Sequence, residues 1–198
     1  MTELYVDASY SGPQTGTASQ PFRTIQQAIS AANNGVTVFI QPGVYTEALN
    51  LQGKRLTLTG ISSDPSQVVI AGLGLGNPIV QLGGNTQSLA YVTLRGLRGL
   101  NTGVLVDGGS SQTITSVMME NLEYGLVQRG NGSVRLSHSI VTYSHHAIRV
   151  ESAVAQFESF NNLILHSARG IYAVGTARIY NNTIAETHRA VEFAGTAG

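Results

Sequence analysis

The chain has 198 residues, of which 42 % are hydrophobic and 11 % are charged, and its formal net charge is zero. A zero net charge gives no electrostatic support to nucleic acid or to an anionic membrane as a partner, so we predict neither. Cysteine is absent, which excludes disulfides and thiolate metal sites, and no run of about 18 apolar residues is present that would span a membrane.

The first 35 residues predict a strand, a loop and a helix. A short apolar run at residues 4–6 predicts the strand, and residues 7–20 predict a turn-rich loop. Apolar residues at helical spacing predict a helix within residues 21–33, with Thr24 as its N-cap. The helix comes immediately before a long β region, which suggests that it covers the open end of a stack of strands.

From residue 116 to 193 one pattern occurs four times. A small residue followed by an apolar one recurs after 22, 23 and 20 residues, at Gly125, Ala147, Gly170 and Ala190. Each repeat holds three apolar runs that are too short for helices. Because strands of successive repeats can pair in parallel, about 4.8 Å apart, the pattern predicts an all-β parallel β-helix of about seven coils. We predict a single domain, with the strand, loop and capping helix in residues 1–35 and the coils in residues 36–198.

Three phrases carry a family resemblance. They are PFRTIQQAI at residues 21–29, VTVFIQPGVYTE at residues 36–47 and IYNNTI at residues 179–184. They resemble the capping helix, the first coil and the later repeats of secreted right-handed β-helix proteins of the pectin lyase-like superfamily. The resemblance implies a right-handed helix and a secreted or cell-surface protein, although residues 1–20 contain no signal peptide. It does not imply one activity, because the superfamily includes lyases, esterases, hydrolases, epimerases and non-enzymes.

In that superfamily the strand after each small residue lines the substrate groove. Alternation along this strand predicts an inward column of Leu126, Ile148, Ile171 and Val191. Outward positions and the preceding turns gather tyrosine, histidine and arginine on one side, which we call the groove face: Tyr124, His146, Arg149, Arg169, Tyr172, Arg189 and Glu192. Arginine binds carboxylates and tyrosine can stack on a sugar ring, so we predict an acidic or neutral polysaccharide as the partner. The predicted substrate-binding residues are Arg149, Tyr172, Arg169, Arg189, His146 and Glu192.

Charged residues near this face also have a structural explanation. Two sets alternate in sign at neighbouring rungs of the stack: Asp107, Arg129 and Glu151, and Arg135, Glu158 and Arg178. Ion pairs between rungs account for both sets, although each exposed pair contributes only about 0–1 kcal/mol.

Several polar residues of the repeats predict internal hydrogen bonding. Asn162 and Asn182, with Ser139 at the matching place, predict a ladder of turn hydrogen bonds. Four of the five histidines lie in or next to predicted turns, where solvation explains them. His145 and His188 are two coils apart, roughly 9.6 Å, which is too far for a shared metal. We predict no metal site and no cofactor.

The carboxylates that catalysis requires in this superfamily are scarce. Only Asp107 of the three aspartates is predicted on the groove face, whereas calcium-dependent lyases gather several acidic ligands. The clustered aspartates of polygalacturonases and the Gln-Asp-Thr phrase of pectin methylesterases do not occur. We therefore favour a non-catalytic glycan-binding or structural β-helix over a polysaccharide-active enzyme. In the alternative, a metal-independent lyase, Arg169 neutralises the uronate and Tyr124 or His146 removes a proton.

The last predicted strand, residues 190–193, precedes a tail without a helix, charge or proline. An uncovered edge of parallel strands pairs with whatever strand is available. We expect either that the chain is a fragment of a longer β-helix or that two copies associate end to end through the C-terminal coil.

Overall fold

In the computed structural model, residues 2–51, 53–74, 76–97 and 100–194 are described. Three parallel sheets run along the molecule, and the chain visits sheets 1, 2 and 3 in turn within each coil. This is a right-handed parallel β-helix of about seven coils, so the fold predicted from the repeat and from the resemblance is confirmed. No helix among the described residues is long and apolar enough to cross a membrane.

Within each sheet, neighbouring strands come from successive coils. Sheet 1 contains β1 (Glu3–Val6), β2 (Val36–Ile40), β5 (Leu56–Gly60), β8 (Gln87–Ala90), β11 (Gln112–Thr115), β14 (Ser133–Ser137), β17 (Gln156–Phe160) and β20 (Thr176–Tyr180). Sheet 2 contains β3 (Gly43–Thr46), β6 (Val68–Ala71), β9 (Thr93–Arg95), β12 (Met118–Glu120), β15 (Ile140–Thr142), β18 (Leu163–Leu165) and β21 (Thr183–Ala185). Sheet 3 contains β4 (Leu49–Asn50), β7 (Val80–Leu82), β10 (Thr102–Val106), β13 (Tyr124–Gln128), β16 (His146–Val150), β19 (Arg169–Ala173) and β22 (Arg189–Phe193).

The inward column of sheet 3 has the predicted register. Leu126 pairs with Ile148, and Ile148 pairs with Ile171. All three side chains are buried in the core between the sheets. Val191 pairs with Ile171 but is 40 % exposed, and Phe193 on the same strand is 60 % exposed. End-to-end association through this coil stays a prediction, and residues 195–198 of the predicted tail lie outside the described residues.

A helix covers the first coil, as predicted. The helix α1 spans Ile25–Ala31, and Thr24 caps it by accepting the backbone N–H of Gln27. It is shorter than residues 21–33 because Phe22 is still extended and bridges to Val6 of β1. The turn after Ala31, with its Asn-Asn-Gly sequence, is not helical.

Two charged side chains from the first coil hold the ends of α1. The carboxylate of Glu47 accepts the backbone N–H groups of Ile25 and Gln26, at 2.8 and 2.9 Å. The ammonium group of Lys54 donates to the carbonyl groups of Ile29 and Ser30, at 2.7 and 2.8 Å. Each charge complements the partial charge of its helix end and satisfies backbone groups that a helix leaves unpaired. The glutamate of the first-coil phrase and the single lysine of the chain therefore fix the cap.

The sharp corners of the coils are made by residues with a left-handed backbone. Among the described residues, nine that are not glycine have φ between 47° and 56°: Tyr91, Ser116, Asn121, His138, Tyr143, Asn161, His166, Asn181 and Glu186. One such residue turns the chain from sheet 1 to sheet 2, and another turns it from sheet 2 to sheet 3. Asparagine adopts this conformation more readily than most residues. The first asparagine of Asn161-Asn162 therefore bends the chain.

The second asparagine builds the predicted ladder. The side-chain oxygen of Asn162 accepts the backbone N–H of Ser139 at 2.9 Å, and the side-chain oxygen of Asn182 accepts the backbone N–H of Asn162 at 3.1 Å. The amide nitrogen of Asn162 donates to the carbonyl group of Leu136 at 3.0 Å. Buried turn groups of one coil are thus satisfied by a side chain of the next coil, and the predicted ladder is confirmed.

Candidate functional site

The predicted residues of the groove face meet on the outer side of sheet 3. Strand pairing places Tyr124, His146, Arg169 and Arg189 in one column. It places Arg149, Tyr172 and Glu192 in the neighbouring column. Four consecutive coils therefore contribute to one continuous surface, because pairing in register repeats each position from coil to coil. Whether this surface binds a ligand stays a prediction.

His146 departs from the expectation that the histidines are solvated. Its side chain is buried, its ring stacks on Tyr124 with centroids 5.1 Å apart, and His145 contacts it edge-on at 4.8 Å. Burial lowers the pKa of His146 to about 4, helped by the positive charges of His145, Arg169 and Arg149 and opposed by Glu192. The imidazole is therefore neutral at pH 7. Its Nδ1 atom is buried without a hydrogen-bond partner among the described residues.

This burial predicts a pH-dependent stability. Because the folded-state pKa of His146 lies below its ordinary value of 6.5, the unfolded chain takes up the proton first as the pH falls. The contribution of the neutral, buried His146 to the free energy of unfolding is complete above pH 6.5 and is lost between pH 6.5 and about 4. With allowance for solvent screening, we expect a loss of roughly 1–2 kcal/mol, measured by urea unfolding at several pH values. His146→Gln should remove this part of the pH dependence, whereas the exposed control His188→Gln should keep it. Parallel pH profiles for the wild type and His146→Gln would contradict the assignment.

Two acidic residues of this surface, Glu151 and Glu192, are engaged by arginine, whereas the ion pairs among the described residues do not include the expected one of Asp107 with Arg129. Glu151 lies 2.9 Å from the Nε atom of Arg129 and 2.8 Å from that of Arg149. Arg189 donates through Nη1 to both carboxylate oxygens of Glu192, each at 3.0 Å. The predicted ion pairing of Arg129 with Glu151 is confirmed, as is that of Arg135 with Glu158 at 3.1 Å. Glu192, predicted to contact a substrate, is thus held by its neighbour.

Two tyrosines flank Arg149. Its guanidinium carbon lies 5.7 Å from the ring centroid of Tyr124 and 5.7 Å from that of Tyr172. Cation–π attraction on both sides and the ion pair with Glu151 fix this arginine in one place. The result is a strip of two rings and a guanidinium group. The sequence predicted these three residues on the groove face, but it did not predict that their side chains contact one another.

Arg169 differs from the other arginines of the groove face. In the described part of the chain no ion pair includes its guanidinium group, although it is half-buried between His146 and Arg189 in the same column. The neutral imidazole next to it cannot compensate its charge. A negatively charged group would compensate it.

Metal chemistry has little support in the donor set. No group of three or more histidine, aspartate or glutamate side chains that could hold a metal ion occurs among the residues with described positions. Glu151, the acidic residue nearest the strip, is held by Arg129 and Arg149. The surface therefore offers arginine and tyrosine side chains and a neutral imidazole, and its carboxylates Glu151 and Glu192 are both paired with arginine.

Comparison with known proteins gives a family and a set of distant structures. A family model described as "Protein of unknown function (DUF1565)" matches residues 10–195. "Uncharacterized protein YwoF" of Bacillus subtilis (strain 168) is 35 % identical over 79 residues, which cover 37 % of this chain and 16 % of that protein. The chain thus matches less than a fifth of that relative's length.

Two solved structures are similar in outline. Pectin methylesterase PemA from Erwinia chrysanthemi has a TM-score of 0.46 and 13 % identity, and the match covers 98 % of this chain and 90 % of that one. The pectin methylesterase from Aspergillus niger has a TM-score of 0.38 and 12 % identity, with 98 % and 85 % covered.

Proposed function

Since the chain belongs to the family described as protein of unknown function (DUF1565), its function has to be inferred from its own site, and we propose that it is a non-catalytic glycan-binding β-helix. The groove face binds a segment of an acidic polysaccharide. The observation that carries the proposal is the half-buried Arg169, which has no ion pair among the described contacts and lies beside the fixed strip of Arg149 and its two tyrosines.

The chemistry of these groups suits a uronic acid sugar. The guanidinium group of Arg169 can bind the carboxylate in a bidentate manner, and the ring of Tyr172 can lie against the apolar side of the sugar. Repeating columns along the helix axis extend the same surface over successive coils, so a linear polymer fits better than a compact molecule. A neutral polysaccharide would leave Arg169 without a counter-charge. Since such polymers lie outside cells, we also propose that the protein is secreted or on the cell surface.

The alternative function is a polysaccharide lyase that uses no metal. It rests on the buried Nδ1 atom of His146, which has no hydrogen-bond partner within the described part of the chain and lies next to Tyr124 and Arg169. A general base works best when its pKa is near the working pH, and a pKa of about 4 makes His146 a weak base at neutral pH. This mismatch argues against His146 as the base and leaves Tyr124 as the other candidate for that role.

A titration with oligosaccharides tests the proposal. Arg169→Ala should weaken the binding of a galacturonate trisaccharide about tenfold, because one charge-assisted bidentate contact is lost. The double variant Arg149→Ala, Tyr172→Ala should weaken it further. Isothermal titration calorimetry measures both. A suitable control is Arg95→Ala, since Arg95 is paired with Glu120 on sheet 2, away from this face. Undiminished binding by Arg169→Ala and by the double variant would place the site elsewhere.

A further inference from the structure

A cavity lies on the outer face of sheet 1. Its volume is about 310 Å³, and it is lined by Ser133, Gln156, Phe157, Glu158, Thr176 and Arg178. We propose that this cavity is a separate binding site for one or two sugar units of an acidic glycan. Its volume is at the lower end of the range of about 300–1,000 Å³ that ligand sites usually have, which suits a ligand of this size.

The polar lining follows from strand register. Ser133, Gln156 and Thr176 begin three successive strands of sheet 1 and pair with one another in sequence. They form a row of hydroxyl and amide groups along the helix axis. Such groups both donate and accept hydrogen bonds, as sugar hydroxyls do. The row therefore matches a polyhydroxylated ligand better than an apolar one.

The charge of the cavity selects an acidic ligand. Glu158 is engaged twice, because it lies 3.1 Å from the Nε atom of Arg135 and accepts the hydroxyl group of Tyr180 at 3.0 Å. Arg178 pairs in register with Glu158 on the next rung and is exposed. Among the contacts of the described residues, none of the ion pairs involves Arg178. After the pairing of Glu158 with Arg135, one positive charge remains at the cavity, and a carboxylate would satisfy it.

An aromatic stack holds the acidic partner in place. Phe160 and Tyr180 stack with their centroids 5.2 Å apart, and the guanidinium group of Arg135 lies 4.6 Å from the ring centroid of Phe160. The stack lies two residues farther along the strands that line the cavity, on the same side of the sheet. The stack contacts Arg135 and bonds Glu158 through Tyr180, which supports the pairing of these two residues with each other and leaves Arg178 without an ion pair among the described residues.

This site is independent of the groove face. Sheets 1 and 3 form different sides of the β-helix, and the buried core lies between them. A ligand in the cavity would touch β14, β17 and β20, whereas the groove face belongs to β13, β16, β19 and β22. The inference therefore does not require that the groove face binds anything.

Backbone amide shifts in an NMR titration with a galacturonate trisaccharide test the proposal. We expect shifts at residues 176–178 in the wild type and in Arg169→Ala, in which the groove face is impaired. Arg178→Ala should weaken the binding seen at these amides about tenfold, since one charge-assisted contact is lost, while leaving any shifts on β16 and β19 unchanged. Arg95→Ala serves as the matched control on sheet 2. A neutral trisaccharide should bind more weakly than the acidic one.

Two results would overturn the inference. One is the absence of shifts at residues 176–178 in wild-type protein at millimolar ligand. The other is binding at these amides that Arg178→Ala leaves as strong as before. In either case the thermal unfolding of Arg178→Ala should match that of the wild type, since Arg178 is exposed, so a failure to fold cannot mimic a lost site.

Discussion

Replacing Ile171 with alanine is expected to lower the free energy of unfolding by about 2–5 kcal/mol, the range for a large aliphatic side chain removed from a packed core. Ile171 is 1 % exposed and lies in register between Ile148 and Val191 in the inward column of sheet 3. The neighbouring coils are held by backbone pairing and cannot collapse fully into the space, so a cavity remains.

Val191→Ala is the matched control, because Val191 belongs to the same column but is 40 % exposed. It should cost less than about 1 kcal/mol. Urea unfolding followed by circular dichroism gives the free energies. A solenoid can lose its terminal coils separately, so hydrogen exchange at individual amides should accompany it. If Ile171→Ala and Val191→Ala are equally mild, the inward column does not carry the stability attributed to it.

Replacing Asn162 with alanine is expected to cost about 2–4 kcal/mol, because two buried backbone groups lose their partners. These are the N–H of Ser139 and the carbonyl group of Leu136, which the Asn162 side chain bonds at 2.9 and 3.0 Å. Asn33→Ala is the control, since Asn33 is exposed after the end of α1. Thermal and urea unfolding measure the difference. A change as small as that of Asn33→Ala would mean that water replaces the ladder at no cost.

The sequence predicted the register because a β-helix repeats one geometry. Once the period was recognised, alternation along each strand was enough to place Ile171 inward and Tyr172 outward. The ion pair of Arg129 with Glu151 is predicted by the same repeat spacing, because the two residues occupy equivalent positions on neighbouring coils. These contacts join equivalent positions of neighbouring coils, which the repeat reveals directly.

Contacts that join non-equivalent positions were not predictable in this way. The hydrogen bonds of Glu47 and Lys54 to the two ends of α1 depend on how the first coil lies against this helix. The position of Arg149 between Tyr124 and Tyr172, and the burial of His146, depend on side-chain packing within one face. For the burial of His146, the signal in the sequence is the pair of adjacent histidines before the small residue Ala147, and this pattern is equally typical of a solvated turn.

The most direct test of the account compares binding with turnover on acidic and neutral polysaccharides, under conditions in which the protein is folded. We predict saturable binding of an acidic polysaccharide that Arg169→Ala weakens, with no shortened, unsaturated or de-esterified product after prolonged incubation. Any of these products would contradict the proposal of a non-catalytic protein, and an unsaturated product whose formation requires His146 or Tyr124 would establish the lyase instead. A complete lack of binding to every polysaccharide tested would contradict the glycan-binding role itself.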